Sequence, residues 1–322
     1  MPMIYIEKFI AEDVFDLEPF FTNISTTVEY DRKWPLFVAG AHYSEEDYTQ
    51  LWKDFLGGKK RGRPSNCLRG SYESLERVVG KCLQPYGPIS VVSAACTSGA
   101  YALFQAAAVS RMIGTPCLVA SGSRLAPGQM GEFWFKSFGA ISHETGIPFD
   151  SRSKGFRPGV SQTFFIVNSK QTENTVAIIE EMIFHTIPAE TTNTGSIDII
   201  FKHLFAKSIE NDICWWNAHS PGTPAGDQAE YEIFNRVIKQ DVPISSLKGK
   251  YGHSIAGSYL FELGKGIESI QQGVIPPNVG IETPIVDDPR IIVEPRTTTG
   301  KIFLKFNMGF GGKSVVSRVR VL

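Results

Sequence analysis

From Leu83 to Ser110 the chain carries no charged residue, and this stretch limits the possible folds more than any other. It is long enough to cross a bilayer as a helix. Its content argues against that, because Pro85, Gly87, Pro88, four serines, Thr97, Gly99 and Gln105 all fall inside it. A buried strand, a turn and a buried helix fit it better. At 322 residues the chain is long enough for a large core, built as one α/β unit or as two fused halves.

Elsewhere, apolar runs of strand length alternate with longer helical patterns. Strands are expected at Met3–Glu7, Leu36–Gly40, Ile89–Ala94, Cys117–Ser121, Thr163–Val167, Val176–Ile183, Ile213–Asn217, Ile291–Val293, Lys301–Phe306 and Ser314–Val321. Helices are expected at Ser44–Phe55, Ser71–Cys82, Thr97–Ile113, Ala225–Lys239 and Ser254–Gln271. The alternation predicts an α/β protein with a partly parallel sheet. In the fourth helix Asp227 and Glu230 have the spacing of a capping box. The polar segment Gln171–Thr175 is the expected seam, dividing the chain into residues 1–170 and 171–322.

Composition narrows the function. A hydrophobic fraction of 42%, a charged fraction of 20% and a net charge of −1 supply no global field for nucleic acid or an anionic membrane. The cysteines Cys67, Cys82, Cys96, Cys117 and Cys214 are scattered and odd in number, which argues against a disulfide framework or zinc site and for a reducing cytoplasm. The first residues include Glu7, Glu12, Asp13, Asp16 and Glu18, unlike a signal peptide. The expectation is a soluble cytoplasmic chain.

Within the uncharged stretch, Ile89, Val91 and Val92 lead into Ala95-Cys96-Thr97-Ser98-Gly99 and an alanine-rich helix. A thiol at a helix N-terminus feels the positive end of the helix dipole, which lowers its pKa. Small neighbours let backbone N–H groups converge on one oxyanion. On this segment alone, Cys96 fits a nucleophile and a small core residue equally well.

Three further segments bear on it. His219 leaves an apolar strand into Ser220-Pro221-Gly222-Thr223. Lys248 precedes His253 by five residues, and Glu262 follows that histidine by nine. Gly309-Phe310-Gly311-Gly312 forms a glycine turn between two strands. Singly, each is ordinary. Together with Pro148-Phe149-Asp150 and Gly155-Phe156, the set resembles the β-ketoacyl-acyl-carrier-protein synthase family, the elongating condensing enzymes.

That resemblance implies a thiolase-like fold, two similar halves in a layered α-β-α-β-α sandwich. It implies that Cys96 accepts an acyl group and that a malonyl thioester then loses CO₂ and attacks it. His219 and His253 would stabilise the charge on the thioester oxygen, Lys248 would hold the local field, and Glu262 would support it. The backbone N–H groups of Cys96 and Phe310 would form the oxyanion hole, and the Phe310 ring would gate the acyl pocket. Substrates would ride on the phosphopantetheine of an acyl carrier protein, with no metal or redox cofactor. A homodimer, or a heterodimer with another ketosynthase, would be the working unit.

Two departures from the family accompany the resemblance. The stretch before Cys96 is short for the family. His219-Ser220-Pro221 replaces the usual His-Gly-Thr, leaving Thr223 as the threonine for the pantetheine arm. A ketosynthase-like partner subunit, resembling a chain length factor, is the rival reading. A biosynthetic thiolase is disfavoured because the Gly309–Gly312 turn lacks a cysteine. The run Lys59-Lys60-Arg61-Gly62-Arg63 fits a carrier-protein patch but better fits a solvated loop.

Overall fold

The computed structural model describes residues 3–14, 16–40, 53–58, 73–124, 130–137, 139–186, 212–238 and 241–322. The basic run at 59–63, Cys67 and most of the helix expected over 44–55 lie outside them. The first half holds β1 (Ile4–Glu12), α1 (Leu17–Thr27), β2 (Leu36–Ala39), α2 (Glu73–Leu83), β3 (Ile89–Val92) and α3 (Ser98–Ile113). It continues through β4 (Cys117–Arg124), α4 (Met130–Ser137) and β5 (Val160–Asn168). Then come β6 (Ala177–Thr186), β7 (Ile213–Asn217), α5 (Pro224–Val237), β8 (Ile244–Ser245), α6 (Lys248–Tyr251) and α7 (Ser258–Gln271). The chain ends with β9 (Val274–Ile275), β10 (Arg296–Thr297), β11 (Ile302–Gly309) and β12 (Lys313–Val321).

Strand side chains alternate between two apolar layers, which explains why the strands read as unbroken hydrophobic runs. Leu36 and Val38 of β2 enter one core with Leu17, Phe21 and Leu75. Phe37 and Ala39 enter another with Leu103, Ala106 and Leu263. In β11, Leu304 and Phe306 face a third core that holds Ile233 and Phe234 of α5.

Ten strands form one sheet in the order β3-β2-β4-β5-β1-β6-β12-β11-β7-β8. Outward from β1 and β6, each arm presents its first, fifth, fourth, second and third strand. In each arm the inner two pairs are antiparallel and the outer two parallel. Helices α1 and α2 cover one arm, α5 covers the other, and α3 with α7 fills the space between. This is the expected α-β-α-β-α layering, with the halves joined edge to edge through β1 and β6.

The central layer is tight where α3 begins. A Cβ on Gly99 would lie 2.7 Å from Leu260 Cγ and 3.2 Å from Leu260 N, so only glycine lets α7 come this near. Two expectations change. Helix α1, with Leu17, Phe20, Phe21 and Ile24 buried, lies in the acidic leader and was not anticipated. Ile291–Val293 is no strand: β8 is only two residues long, so Ile291 makes one isolated bridge to Ile244.

Gly99→Ala is expected to cost about 1–3 kcal/mol through overpacking at the α3–α7 contact. Urea unfolding measures this, and an unchanged midpoint would show that the two helices separate freely.

Candidate active site

Cys96 sits on a strained elbow. After β3, Ala95 adopts a left-handed φ of 50°, which costs a non-glycine residue about 1–2 kcal/mol. Side chains at the start of α3 hold the bend. Ser98 Oγ accepts from Ala94 N at 2.8 Å, and Thr97 Oγ1 donates to Ala94 O at 2.7 Å. Across the layer, Asn307 Nδ2 of β11 donates to Cys96 O at 3.0 Å. The glycine turn follows at once, and a Cβ on Gly309 would come within 3.3 Å of Cys96 N. Phe310 is thereby delivered to the mouth of the same cleft, its ring 5.7 Å from that of Phe135 on α4.

His253 meets the thiol from the other side. Its Nε2 lies 3.1 Å from Cys96 Sγ. Backbone hydrogen bonds to Arg157 O at 2.7 Å and from Gly159 N at 3.0 Å fix the segment, and Phe156 packs edge-on against the ring. Nδ1 lies 2.7 Å from Ser258 Oγ, which is linked to Ser254 Oγ at 3.3 Å, with Ser161 Oγ a further 2.7 Å beyond. A hydroxyl can donate to Nδ1 or accept from it, so this contact supports either imidazole tautomer.

His219 stands 5.3 Å from His253 between ring centroids, nearly perpendicular to it. Its loop is held by two buried carboxyl groups. Glu230 accepts from Trp216 Nε1 at 3.0 Å, His219 N at 2.9 Å, and Ser220 N and Oγ at 2.6 and 2.7 Å. Asp227 accepts from Phe149 N at 2.9 Å and Gly222 N at 3.1 Å. The capping-box expectation therefore fails. Thr223 is the N-cap, Pro224 opens the helix, and the two acids turn inward to brace the His219 loop. Asp150 of the Pro148-Phe149-Asp150 motif pairs with Arg152 and accepts from the Glu282 and Thr283 amides.

Beneath the imidazoles lies a buried charge cluster. Lys248 Nζ is 2.6 Å from Glu262 Oε1, and Lys305 Nζ of β11 is 2.7 Å from Glu262 Oε2. Lys248 and Glu262 meet as expected, but Lys305 and Asn307 were not singled out from the sequence. Alternating with Phe306 and Met308, they carry the pattern of a half-exposed strand. Both are fully buried.

Burial dominates the titration of this site. It pushes the Cys96 thiol up to about 12, against the pull of Lys248. The expected depression of the thiol by the helix dipole is thus overturned, because desolvation of the thiolate outweighs it. Burial, then Lys248, hold both His219 and His253 well below the usual imidazole value, and Lys305 adds to the effect. Asp227 is pushed up to about 8 by burial. The resting pair is a neutral thiol facing a neutral imidazole. Cys96, His219, His253, Thr223, Phe156 and Phe310 all line one cleft.

Comparisons with known proteins agree with this geometry. The family described as beta-ketoacyl synthase, C-terminal domain, matches residues 184–282, which include His219, Lys248, His253 and Glu262. The chain is 28% identical over 254 residues to the tetracenomycin polyketide synthase ketoacyl synthase alpha subunit of Streptomyces glaucescens, covering 70% of this chain and 58% of that protein. It is 28% identical over 219 residues to the iterative polyketide synthase afoE of Emericella nidulans, covering 61% of this chain and 8% of that one. Among solved structures, the ishigamide ketosynthase/chain length factor superposes with a TM-score of 0.82 at 16% identity, covering 100% of this chain and 99% of the other. The fold is that of the superposed ketosynthase/chain length factor structure, and residues 184–282 are similar to the beta-ketoacyl synthase C-terminal domain.

Ser258→Ala would leave the buried Nδ1 of His253 unpaired, a loss of about 1–3 kcal/mol. We expect lower stability together with a roughly tenfold slower alkylation of Cys96 by iodoacetamide, the same energy expressed as a rate. Lost stability with unchanged alkylation would make Ser258 a packing residue only. A second prediction concerns pH. The folded imidazoles bind protons less readily than unfolded ones, so stability is fully present above the unfolded value near 6.5 and falls as pH drops below it. A His219→Asn, His253→Asn double variant should lose this slope in chemical denaturation; retention of the slope would place its origin elsewhere.

Proposed function

We propose that the chain is a β-ketoacyl synthase carrying out decarboxylative condensation in fatty acid or polyketide assembly. The observation that carries this reading is the 3.1 Å contact between Cys96 and His253, with His219 beside it in the same cleft. In the first half-reaction the Cys96 sulfur bonds to the carbonyl of an acyl phosphopantetheine thioester. The thiol proton passes by way of His253 Nε2 to the departing pantetheine sulfur. The high thiol pKa makes this coupling necessary, since little free thiolate is present at neutral pH.

In the second half-reaction a malonyl thioester enters, its carboxyl carbon leaves as CO₂, and the bonding pair moves onto the thioester as an enolate. Neutral imidazoles at His219 and His253 donate N–H bonds to that oxygen. The enolate carbon then bonds to the acyl carbonyl, Cys96 leaves as thiolate, and one proton restores the thiol. Backbone N–H groups of Cys96 and Phe310 hold the oxyanion, and the Phe310 ring gates the acyl pocket. Thr223, at the cleft mouth, binds the pantetheine arm. Lys248 and Glu262 maintain the field and do not touch the reacting atoms. The reaction calls on no metal or redox group.

The partner in this reading is an acyl carrier protein, and the working unit is a cytoplasmic dimer. The two halves divide at residues 170 and 171, between β5 and β6. Among the described residues no helix is long and apolar enough to cross a membrane. A second reading is a chain-length-factor-like subunit with little activity alone. It is favoured by the His219-Ser220-Pro221 loop, which departs from the His-Gly-Thr usual in the condensing family. The intact Cys96 and His253 pair argues for the first.

Incubation with acyl carrier proteins of varied chain length, followed by intact-mass analysis, tests the choice. The condensing reading expects an acyl mass on the wild-type chain and none on Cys96→Ala. Absence of loading on the wild type, with activity appearing only beside a second ketosynthase, would favour the partner-subunit reading.

A further inference from the structure

The charge cluster under the histidines contains one cation more than the ion pair Lys248–Glu262 requires. Glu262 has two carboxylate oxygens, and a different lysine occupies each. Lys248 reaches Oε1 from α6, and Lys305 reaches Oε2 from the middle of β11. Lys305 Nζ also donates to Phe306 O at 2.7 Å. All three side chains are at most 3% exposed, so bulk water does little to screen them.

The placement of Lys305 follows from strand alternation. Leu304 and Phe306 point to the outer core, which turns Lys305 and Asn307 toward the central helices. Asn307 holds Cys96 O, and two residues later the chain enters the Gly309–Phe310 turn. In the sheet, Lys305 sits between Asn217 of β7 and Ser317 of β12. Asn217 Nδ2 donates to Glu262 O at 3.1 Å, and Ser317 Oγ lies 2.6 Å from Tyr259 OH. The strand that positions the nucleophile is thus tied to the helix that follows His253 by a charged link at its centre.

We propose that Lys305 is a second positioning residue of the condensing site, sharing Glu262 with Lys248 so that the buried triad holds one excess positive charge beneath His219 and His253. This rests on the condensing reading given above. The excess charge favours a reaction in which negative charge grows on an oxygen between the imidazoles. It also disfavours protonation of either ring, which must stay neutral to remain a donor without forming an ion pair with the thiol. Acyl transfer to Cys96, which builds charge at the other side of the cleft, depends on it less.

The groups that set its charge are Glu262 on α7, Lys248 on α6 and Glu230 on α5. The two imidazoles respond to it in turn. Burial brings Lys305 down to about 8, so its charge is lost just above neutrality.

The test uses histidine NMR and stepwise kinetics on the full chain. In Lys305→Met the titration midpoints of His219 and His253 should rise by about one pH unit, the size of one lost neighbouring charge. Condensation should fall roughly tenfold further than acyl loading of Cys96, the same loss read as a rate, and Lys305→Arg should restore both. Unmoved midpoints, or an Arg variant no better than Met, would overturn the proposal. Should the Met variant fail to fold, the wild type still decides: both ring resonances should shift again near pH 8 as Lys305 titrates, and a flat response there would refute it. The ring measurements need no turnover, so they stand even if the wild-type chain does not load acyl groups.

Discussion

The contact between Cys96 Sγ and His253 Nε2, 3.1 Å long, joins the two halves at the point where chemistry can occur. Each partner sits just before a central helix, Cys96 before α3 and His253 before α7. Neither helix could bring its leading segment so close without the bare Gly99 against Leu260. The ten-stranded sheet serves the same contact, since its inner-facing side chains from both arms close around α3 and α7. Packing density in the central layer is therefore a condition for reactivity as well as for stability.

Keeping charge in that layer is expensive, and close ion pairs and backbone hydrogen bonds offset part of the cost. Glu262 lies between two lysines, and Glu230 takes four hydrogen bonds from the Trp216–Ser220 segment. The thiol and the imidazoles, by contrast, are kept uncharged. The result is a neutral reacting pair above a charged foundation. Such a site avoids the resting thiolate–imidazolium pair and leaves both imidazoles free as donors.

Much of this was readable before any coordinates. The uncharged stretch does hold a strand and a helix, but β3 lies at the end of the sheet with only Val92 buried. The family resemblance singled out Cys96, His219, Lys248, His253 and Glu262, which the structure brings close together. Residues whose role depends on inward orientation were harder to see. Lys305 and Asn307 alternate with apolar neighbours, so they read as the wet face of a strand, whereas β11 is buried on both faces. Asp227 and Glu230 carry capping-box spacing, but Pro224 fixes the helix start earlier and frees both acids to brace the His219 loop. The lowered thiol pKa expected from the helix dipole ignored burial, a larger effect that no local pattern reports.

The central claim is that Cys96 rests as a neutral thiol beside a neutral imidazole. Ultraviolet thiolate absorbance, taken as the difference between the wild type and Cys96→Ala across a pH series, tests it directly. The account predicts no difference near neutral pH, with thiolate appearing only toward a value of about 12. A full thiolate signal at neutral pH would reveal a resting ion pair with His253 and contradict the account.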